Sequence, residues 1–286
     1  MDLESVKKIG VVGCGQMGSG ITEVMLKAGY QVAIYDVTRE CTERGQKNVD
    51  KSLTKAVEKG RLTEEVRTDC LSRLQLADAL EDLKDCDLVV EAAIENLVEK
   101  KAIFVKLDSV CKPETILASN TSSISITDIA SATKRPEQVV GMHFFNPVPV
   151  MALVEVVKGV KTSSEVVDLA SEIAAKVGKT FVHVKDRPGF IVNLLCIPYL
   201  CEAIRWYDAG LATRDDIDNG IKLGLNHPLG PLALADLIGL DVVMFIQDTL
   251  YEEFRDPRYA SPPLLRRMVK AGLLGRKSGE GFYSYK

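Results

Sequence analysis

The sequence contains three histidines, His143, His183 and His227, so imidazole-based proton transfer has few candidates. His143 ends an apolar strand pattern and is followed by Phe144, Phe145, Asn146 and Pro147. A neutral imidazole at a strand end can take a hydroxyl proton, because imidazole titrates near working pH, and such help contributes about 10²–10⁴ in rate. The competing reading is structural, since a lone histidine among apolar residues is more often part of a core. Glu155 is the second candidate. It lies between Val154 and Val156, and a carboxylate in such a run needs a partner to offset its desolvation. His143 is the obvious one, because a buried carboxylate on one ring nitrogen fixes the tautomer and stabilises the cation formed on proton uptake. An exposed strand with Glu155 turned outward would produce the same local sequence.

A second cluster opens the chain. The run KIGVVGCGQMGSGI sets Gly13, Gly15 and Gly18 in G-x-G-x-x-G spacing, after an apolar strand and at the start of a helical pattern. There Gly13 permits a tight turn, Gly15 lets the backbone approach a pyrophosphate, and Gly18 lets helix and strand pack closely. The helix N-terminus, with Gln16 and Met17, offers N–H groups to the phosphates. Asp36 closes the strand QVAIYD, where a carboxylate accepts from an adenosine ribose and repels a 2′-phosphate. NAD is thereby favoured over NADP as cofactor, with Arg39 able to soften the preference. The plainer readings are a glycine turn without ligand and an Asp36 that only caps the next helix.

Positioning these groups requires strands that end together. Strand candidates are Lys8–Gly13, Val32–Tyr35, Asp87–Ala92, Thr115–Ala118, Gln138–Met142, Leu153–Val157 and Thr180–Val184, several of them continuously apolar, as doubly covered parallel strands read. Helical periodicity fills most of the gaps, which predicts an α/β Rossmann-like domain over residues 1–185, its sheet mostly parallel with helices on both faces. Residues 39–74 are too long for one crossover and helical on either side of Gly60, so a projecting helical hairpin is expected. Beyond Pro188, FIVNLLCIPYLCEAIRWYDAG reads as a long buried helix ended by Gly210. Three or four further helices follow, punctuated by HPLGP, Asp256–Pro257 and Pro262–Pro263, so 186–286 is expected to form an all-α domain.

Composition narrows the partners. The 286 residues are 46% hydrophobic and 27% charged, the balance of an ordinary folded protein of two domains. A formal net charge of -4 argues against nucleic acid, whose binders cluster positive charge; only the stretch from Lys51 to Arg61 is locally basic. The seven cysteines form no CxxC pair and no metal-ligand spacing, and their odd number suits a reducing compartment. The run MDLESVKKIGVV lacks the features of a secretory signal or a transit peptide. No apolar run approaches the roughly 20 residues a membrane helix requires. A cytoplasmic protein with a small-molecule substrate is expected.

The segments LVVEAAIEN, LASNTSS, HFFNPVPVM, VEVV, KDRPGFIVN, NHPLGPLALADLIGLD and GRKSGEGFY resemble the short-chain L-3-hydroxyacyl-CoA dehydrogenases of the 3-hydroxybutyryl-CoA type. The resemblance covers essentially the whole chain, in the right order. It implies an NAD-binding N-terminal domain and a helical C-terminal domain through which the subunits usually form a homodimer. It further implies that His143 and Glu155 are the catalytic pair, that Ser122 donates to the oxygen on C3, and that Asn193 holds the acyl-thioester of an acyl-CoA against the cofactor. In oxidation His143 would remove the hydroxyl proton as C3 delivers hydride to the nicotinamide; in reduction it would protonate the developing alkoxide. By the same resemblance Glu95, Lys100, Ser122, Asn146 and Lys277 lie near NAD. Ser52, Lys55 and Lys59, on the hairpin, match the family's contacts to the CoA pantetheine and phosphates, although a solvated helix face explains Lys55 equally well. One departure is Leu194, where many relatives carry Arg. It is expected to tune the substrate pocket or a domain contact rather than abolish activity.

Three rivals stay open. Another acyl-CoA such as 3-hydroxyadipyl-CoA could be the substrate, because motifs do not report the acyl pocket. The related dehydrogenases of free 3-hydroxy acids use a catalytic lysine, and the HFFNP block argues against them. A non-catalytic nucleotide-binding protein of the same fold is opposed by the presence of His143, Glu155, Ser122 and Asn193 together.

Overall fold

The computed structural model describes residues 1–285. Its first compact unit, Met1–Arg187, is organised on one eight-stranded sheet. The strands are β1 (Lys8–Val12), β2 (Gln31–Tyr35), β3 (Leu74–Leu76), β4 (Leu88–Glu91), β5 (Ile116–Ser119), β6 (Val139–Phe144), β7 (Leu153–Lys158) and β8 (Thr180–Lys185). The helices are α1 (Gln16–Lys27), α2 (Arg39–Glu58), α3 (Glu64–Ser72), α4 (Leu97–Val110), α5 (Ile126–Ala130) and α6 (Ser164–Lys176). The strand order is β3-β2-β1-β4-β5-β6-β7-β8. Every neighbouring pair runs parallel except β6 with β7. Strands β4, β5 and β6 are buried at every residue, which is why they read as continuous apolar runs. The order reverses between β1 and β4, and in open sheets of this kind ligands bind at the carboxyl ends of the strands beside that reversal.

The predicted hairpin is α2 followed by α3. Thr38 caps α2, accepting from the Cys41 amide, and Gly60, at φ +64, lets the chain turn back. Arg67 of α3 donates to Asp50 of α2 at 2.5 Å, and Val49, Leu53 and Cys70 are buried in the main core. Strand β3 was not among the sequence candidates. Three residues, Leu-Gln-Leu, are too few to show a period, and the strand exists because it pairs with the edge of β2.

The second unit, Pro188–Lys286, contains α7 (Val192–Asp208), α8 (Arg214–Gly224), α9 (Pro231–Ile238), α10 (Leu240–Phe254) and α11 (Pro263–Lys270). Helix α7 ends where Gly210 adopts φ +75. Ile197, Leu200, Ile204, Leu232, Val243 and Leu265 pack in one core. Two buried aspartates brace it: Asp218 accepts from the Leu232 and Ala233 amides at the start of α9, and Asp236 from the Phe282 and Tyr283 amides. Among the described residues no helix is long and apolar enough to cross a membrane.

Candidate active site

The one antiparallel pairing in the sheet decides the geometry of the acid–base candidates. In the β6–β7 register His143 stands directly opposite Glu155. Opposite residues of an antiparallel pair share a face, with Cβ atoms about 4.5–5.5 Å apart, so the two side chains must meet. They do: His143 Nδ1 lies 2.6 Å from Glu155 Oε2. Glu155 is fully buried and His143 is 6% exposed, so the outward-facing reading of Glu155 is excluded. The Phe145 ring packs 4.5 Å from the imidazole, centroid to centroid.

The return loop between these strands is held by a lysine. Lys179, itself buried, donates to the Val148 and Met151 carbonyls at 2.6 and 2.8 Å. Burial holds the Lys179 amine below the ordinary lysine range. Asn146 is exposed on this loop, joined to Pro147 by a cis peptide bond.

A second polar cluster fills the carboxyl ends of β4 and β5. Lys100, 1% exposed, donates to Glu91 Oε1 at 2.7 Å and lies 3.3 Å from Glu95 Oε2. Glu91, with no exposure, also accepts from the Ala93 amide and the Ser119 hydroxyl. Oxygen Oε1 of Glu95 accepts from the Thr121 hydroxyl at 2.5 Å, the Ser122 amide at 3.0 Å, and the Ser123 amide and hydroxyl. Burial pushes the Glu95 carboxyl up, but Lys100 and these donors outweigh it and hold the group below the usual carboxylate range. The loop with Ser122 is also tied toward the histidine, because Asn120 Oδ1 accepts from the Phe144 amide at 2.9 Å.

The glycine loop forms a third part. Gly13 has φ +95, and a Cβ there would sit 2.6 Å from the Ala92 carbonyl oxygen. A Cβ on Gly18 would lie 1.7 Å from the Gly13 oxygen, so only glycine allows this helix–strand approach. Over Gly15 the space is open, and α1 starts there without a side-chain cap, its first-turn amides at Gln16, Met17 and Gly18. Asp36 accepts from the Cys14 and Val37 amides at 2.7 Å each, while the cap of α2 is Thr38. An uncapped helix start beside an open glycine and a carboxylate fits the pyrophosphate and ribose of a dinucleotide. Arg39 is engaged by Asp78 and Glu43.

Residues 8–187 match the family model of the 3-hydroxyacyl-CoA dehydrogenase NAD binding domain, and residues 189–285 match that of the 3-hydroxyacyl-CoA dehydrogenase C-terminal domain. The chain belongs to the 3-hydroxyacyl-CoA dehydrogenase family. The 3-hydroxybutyryl-CoA dehydrogenase of Mycobacterium tuberculosis is 48% identical over 284 residues, covering 99% of both chains. The enzyme of that name from Clostridioides difficile is 48% identical over 278 residues, 97% of this chain and 99% of its own. The crystal structure of (S)-3-hydroxybutyryl-CoA dehydrogenase PaaH1 from Ralstonia eutropha superposes with a TM-score of 0.96 at 44% identity, covering 99% of this chain and 100% of that one. This dehydrogenase is thus an oxidoreductase whose cofactor is NAD.

The remaining residues singled out in the sequence are Ser52, Lys55, Lys59, Asn193, Leu194 and Lys277. Ser52 and Lys55 are on α2 and Lys59 is its C-cap; both lysines are exposed. Asn193 is in the first turn of α7, and Leu194 packs against the core of the second unit. Lys277 is paired with Asp241, in the first turn of α10, at 2.5 Å. Glu91, Asn120, Lys179 and Asp241 were not among the sequence candidates. Glu91 had a usable signal: like Glu155, it is an acid in an apolar strand and needs a buried partner.

Proposed function

We propose that this dehydrogenase interconverts (S)-3-hydroxybutyryl-CoA and acetoacetyl-CoA, with His143 as the proton carrier and Glu155 as the carboxylate that orients it. The reading rests on one observation above all, the 2.6 Å contact between His143 Nδ1 and a fully buried Glu155. The names of the relatives from Mycobacterium tuberculosis and Clostridioides difficile supply the substrate class.

Hydride exchange at C3 is the chemistry that NAD supplies when bound. With Nδ1 turned to Glu155, proton exchange with the substrate falls to Nε2. In oxidation Nε2 takes the proton of the 3-hydroxyl; in reduction it returns one to the same oxygen. Glu155 holds the Nδ1 proton and offsets the charge of the imidazolium. The Ser122 hydroxyl donates to the C3 oxygen, and Asn193 holds the acyl-thioester. Gly13, Gly15, Gln16, Met17, Gly18, Asp36, Glu95, Asn146 and Lys277 surround the cofactor, with Lys100 behind Glu95. Ser52, Lys55 and Lys59 receive the CoA portion.

A homodimer through the C-terminal helical domain is part of the same reading, supported by the exposed apolar side chains of Leu195, Trp206, Leu211, Leu223 and Leu225. A monomer in multi-angle light scattering would rule it out. The activity is tested by following NADH and NADPH oxidation with acetoacetyl-CoA and a series of longer and dicarboxylic 3-ketoacyl-CoA thioesters. Fastest turnover is expected with acetoacetyl-CoA and NADH. No turnover of any thioester would overturn the function, and a clear preference for another acyl group would move the specificity.

A further inference from the structure

The proton-transfer scheme makes no use of two buried charges of the first unit, Glu91 and Lys100. Two carboxylates and one ammonium share a space in which Glu91 and Lys100 are 0% and 1% exposed by side chain. Ions so enclosed persist only where each is paired and hydrogen-bonded. Here the pairing has a direction. Lys100 spans from Glu91, at the end of β4, to Glu95, on the segment that leads into α4. Glu95 then spends one oxygen on the donors of three consecutive residues, Thr121, Ser122 and Ser123. A second branch leaves Glu91 from its other oxygen: the Ser119 hydroxyl donates to Oε2 at 2.6 Å, and Ser119 Oγ accepts from the Thr121 amide at 3.3 Å. The Glu91 carbonyl also accepts from the Asn120 amide at 2.7 Å. Both routes from this one carboxylate end on the loop that carries Ser122.

We propose that Glu91 is a positioning residue for the reaction: through Lys100 and Glu95 on one side and Ser119 on the other, it holds the 119–123 loop so that the Ser122 hydroxyl addresses the reacting oxygen. The inference rests on the role given to Ser122 under the proposed function. It differs from a stability role in what it predicts. A residue that only supports the fold would change stability and leave the consequence of deleting the Ser122 hydroxyl unaltered; a residue acting through Ser122 has no effect left to exert once that hydroxyl is gone.

The test is a double-mutant cycle on kcat for acetoacetyl-CoA reduction, using Glu91→Gln, Ser122→Ala and the pair, with the NADH dissociation constant followed by fluorescence. Ser122→Ala is expected to lower kcat about 10²-fold, the loss typical of one donor to a developing oxyanion. Glu91→Gln, which keeps the shape and removes the charge, is expected to lower kcat roughly tenfold in the wild-type background and to have little further effect beside Ser122→Ala. Losses that multiply in the double variant overturn the inference while leaving Ser122 its role. A Ser122→Ala enzyme with undiminished kcat overturns both. Should Glu91→Gln fail to fold, Ser119→Ala keeps every charge and cuts only the second branch. In the same cycle, a loss that vanishes beside Ser122→Ala supports the inference, and a loss that multiplies overturns it.

Discussion

Asn120 Oδ1 accepts the backbone hydrogen of Phe144 at 2.9 Å, joining the end of β5 to the residue that follows His143. The loop with the proposed hydroxyl donor and the strand with the proposed base are therefore one hydrogen-bonded assembly. Asn120→Ala leaves the Phe144 amide without this acceptor, at a cost of about 1–3 kcal/mol. We expect a lower midpoint in urea and a lower kcat, with NADH binding retained. A variant with wild-type kcat would show that the link has no functional weight.

His143→Gln keeps the polar volume and removes the titrating ring. Acetoacetyl-CoA reduction should fall by about 10²–10⁴ while NADH affinity stays near that of the parent. Undiminished turnover would refute the proton-carrier role.

Asp36 binds the amides of Cys14 and Val37 at the glycine turn, and its charge opposes a 2′-phosphate. Asp36→Ala should lower the ratio of kcat/KM for NADH over NADPH roughly tenfold, as removal of a like-charge penalty of about 1.4 kcal/mol would. Since Arg39 is occupied by Asp78 and Glu43, little compensation is expected from it. An unchanged ratio would place cofactor discrimination elsewhere.

The depressed pKa of Glu95 has a thermal signature. Burial raises this carboxyl, Lys100 and the 121–123 donors lower it further, and the net value lies below the ordinary glutamate value of 4.5. A group depressed in the folded state contributes stability above its unfolded pKa and loses it as pH falls through the folded one. Scans from neutral to strongly acidic pH should therefore show a loss of Tm below about pH 4.5 that is smaller in Glu95→Gln. Parallel curves for the two proteins would contradict the assignment.

Thiol chemistry gives a further check. Burial, reinforced by Asp36 and Cys41, pushes Cys14 up to about 12, and burial likewise takes Cys86 and Cys201 to about 12. Thiolate is the reactive form, so these three should resist iodoacetamide in the native protein at mildly alkaline pH and react on unfolding. Mass spectrometry of native labelling that found Cys14 modified first would show an open glycine turn.

Much of the architecture was legible because it is written in local patterns. Gly13, Gly15 and Gly18 follow an apolar strand and begin a helix, and Asp36 ends the next strand. Gly60 and Gly210 mark turns that only a residue tolerant of positive φ closes without strain. Strand β3 escaped notice because its three residues owe their conformation to β2 rather than to any propensity of their own.

The site divides along the same physical line. By itself the sequence determined which groups were available: one histidine at a strand end, an acid inside an apolar strand, a glycine fingerprint, and an arrangement of motifs specific to one family. Tertiary structure alone decided which of them meet. The sheet's one antiparallel pairing puts His143 opposite Glu155, and the adjacency of β4 and β5 brings Glu91 to Ser119 and the Ser122 loop within reach of Glu95. These contacts join residues well separated in the chain. Periodicity cannot report them, because strand order and register are set by the packing of the whole sheet, which no local run of residues encodes.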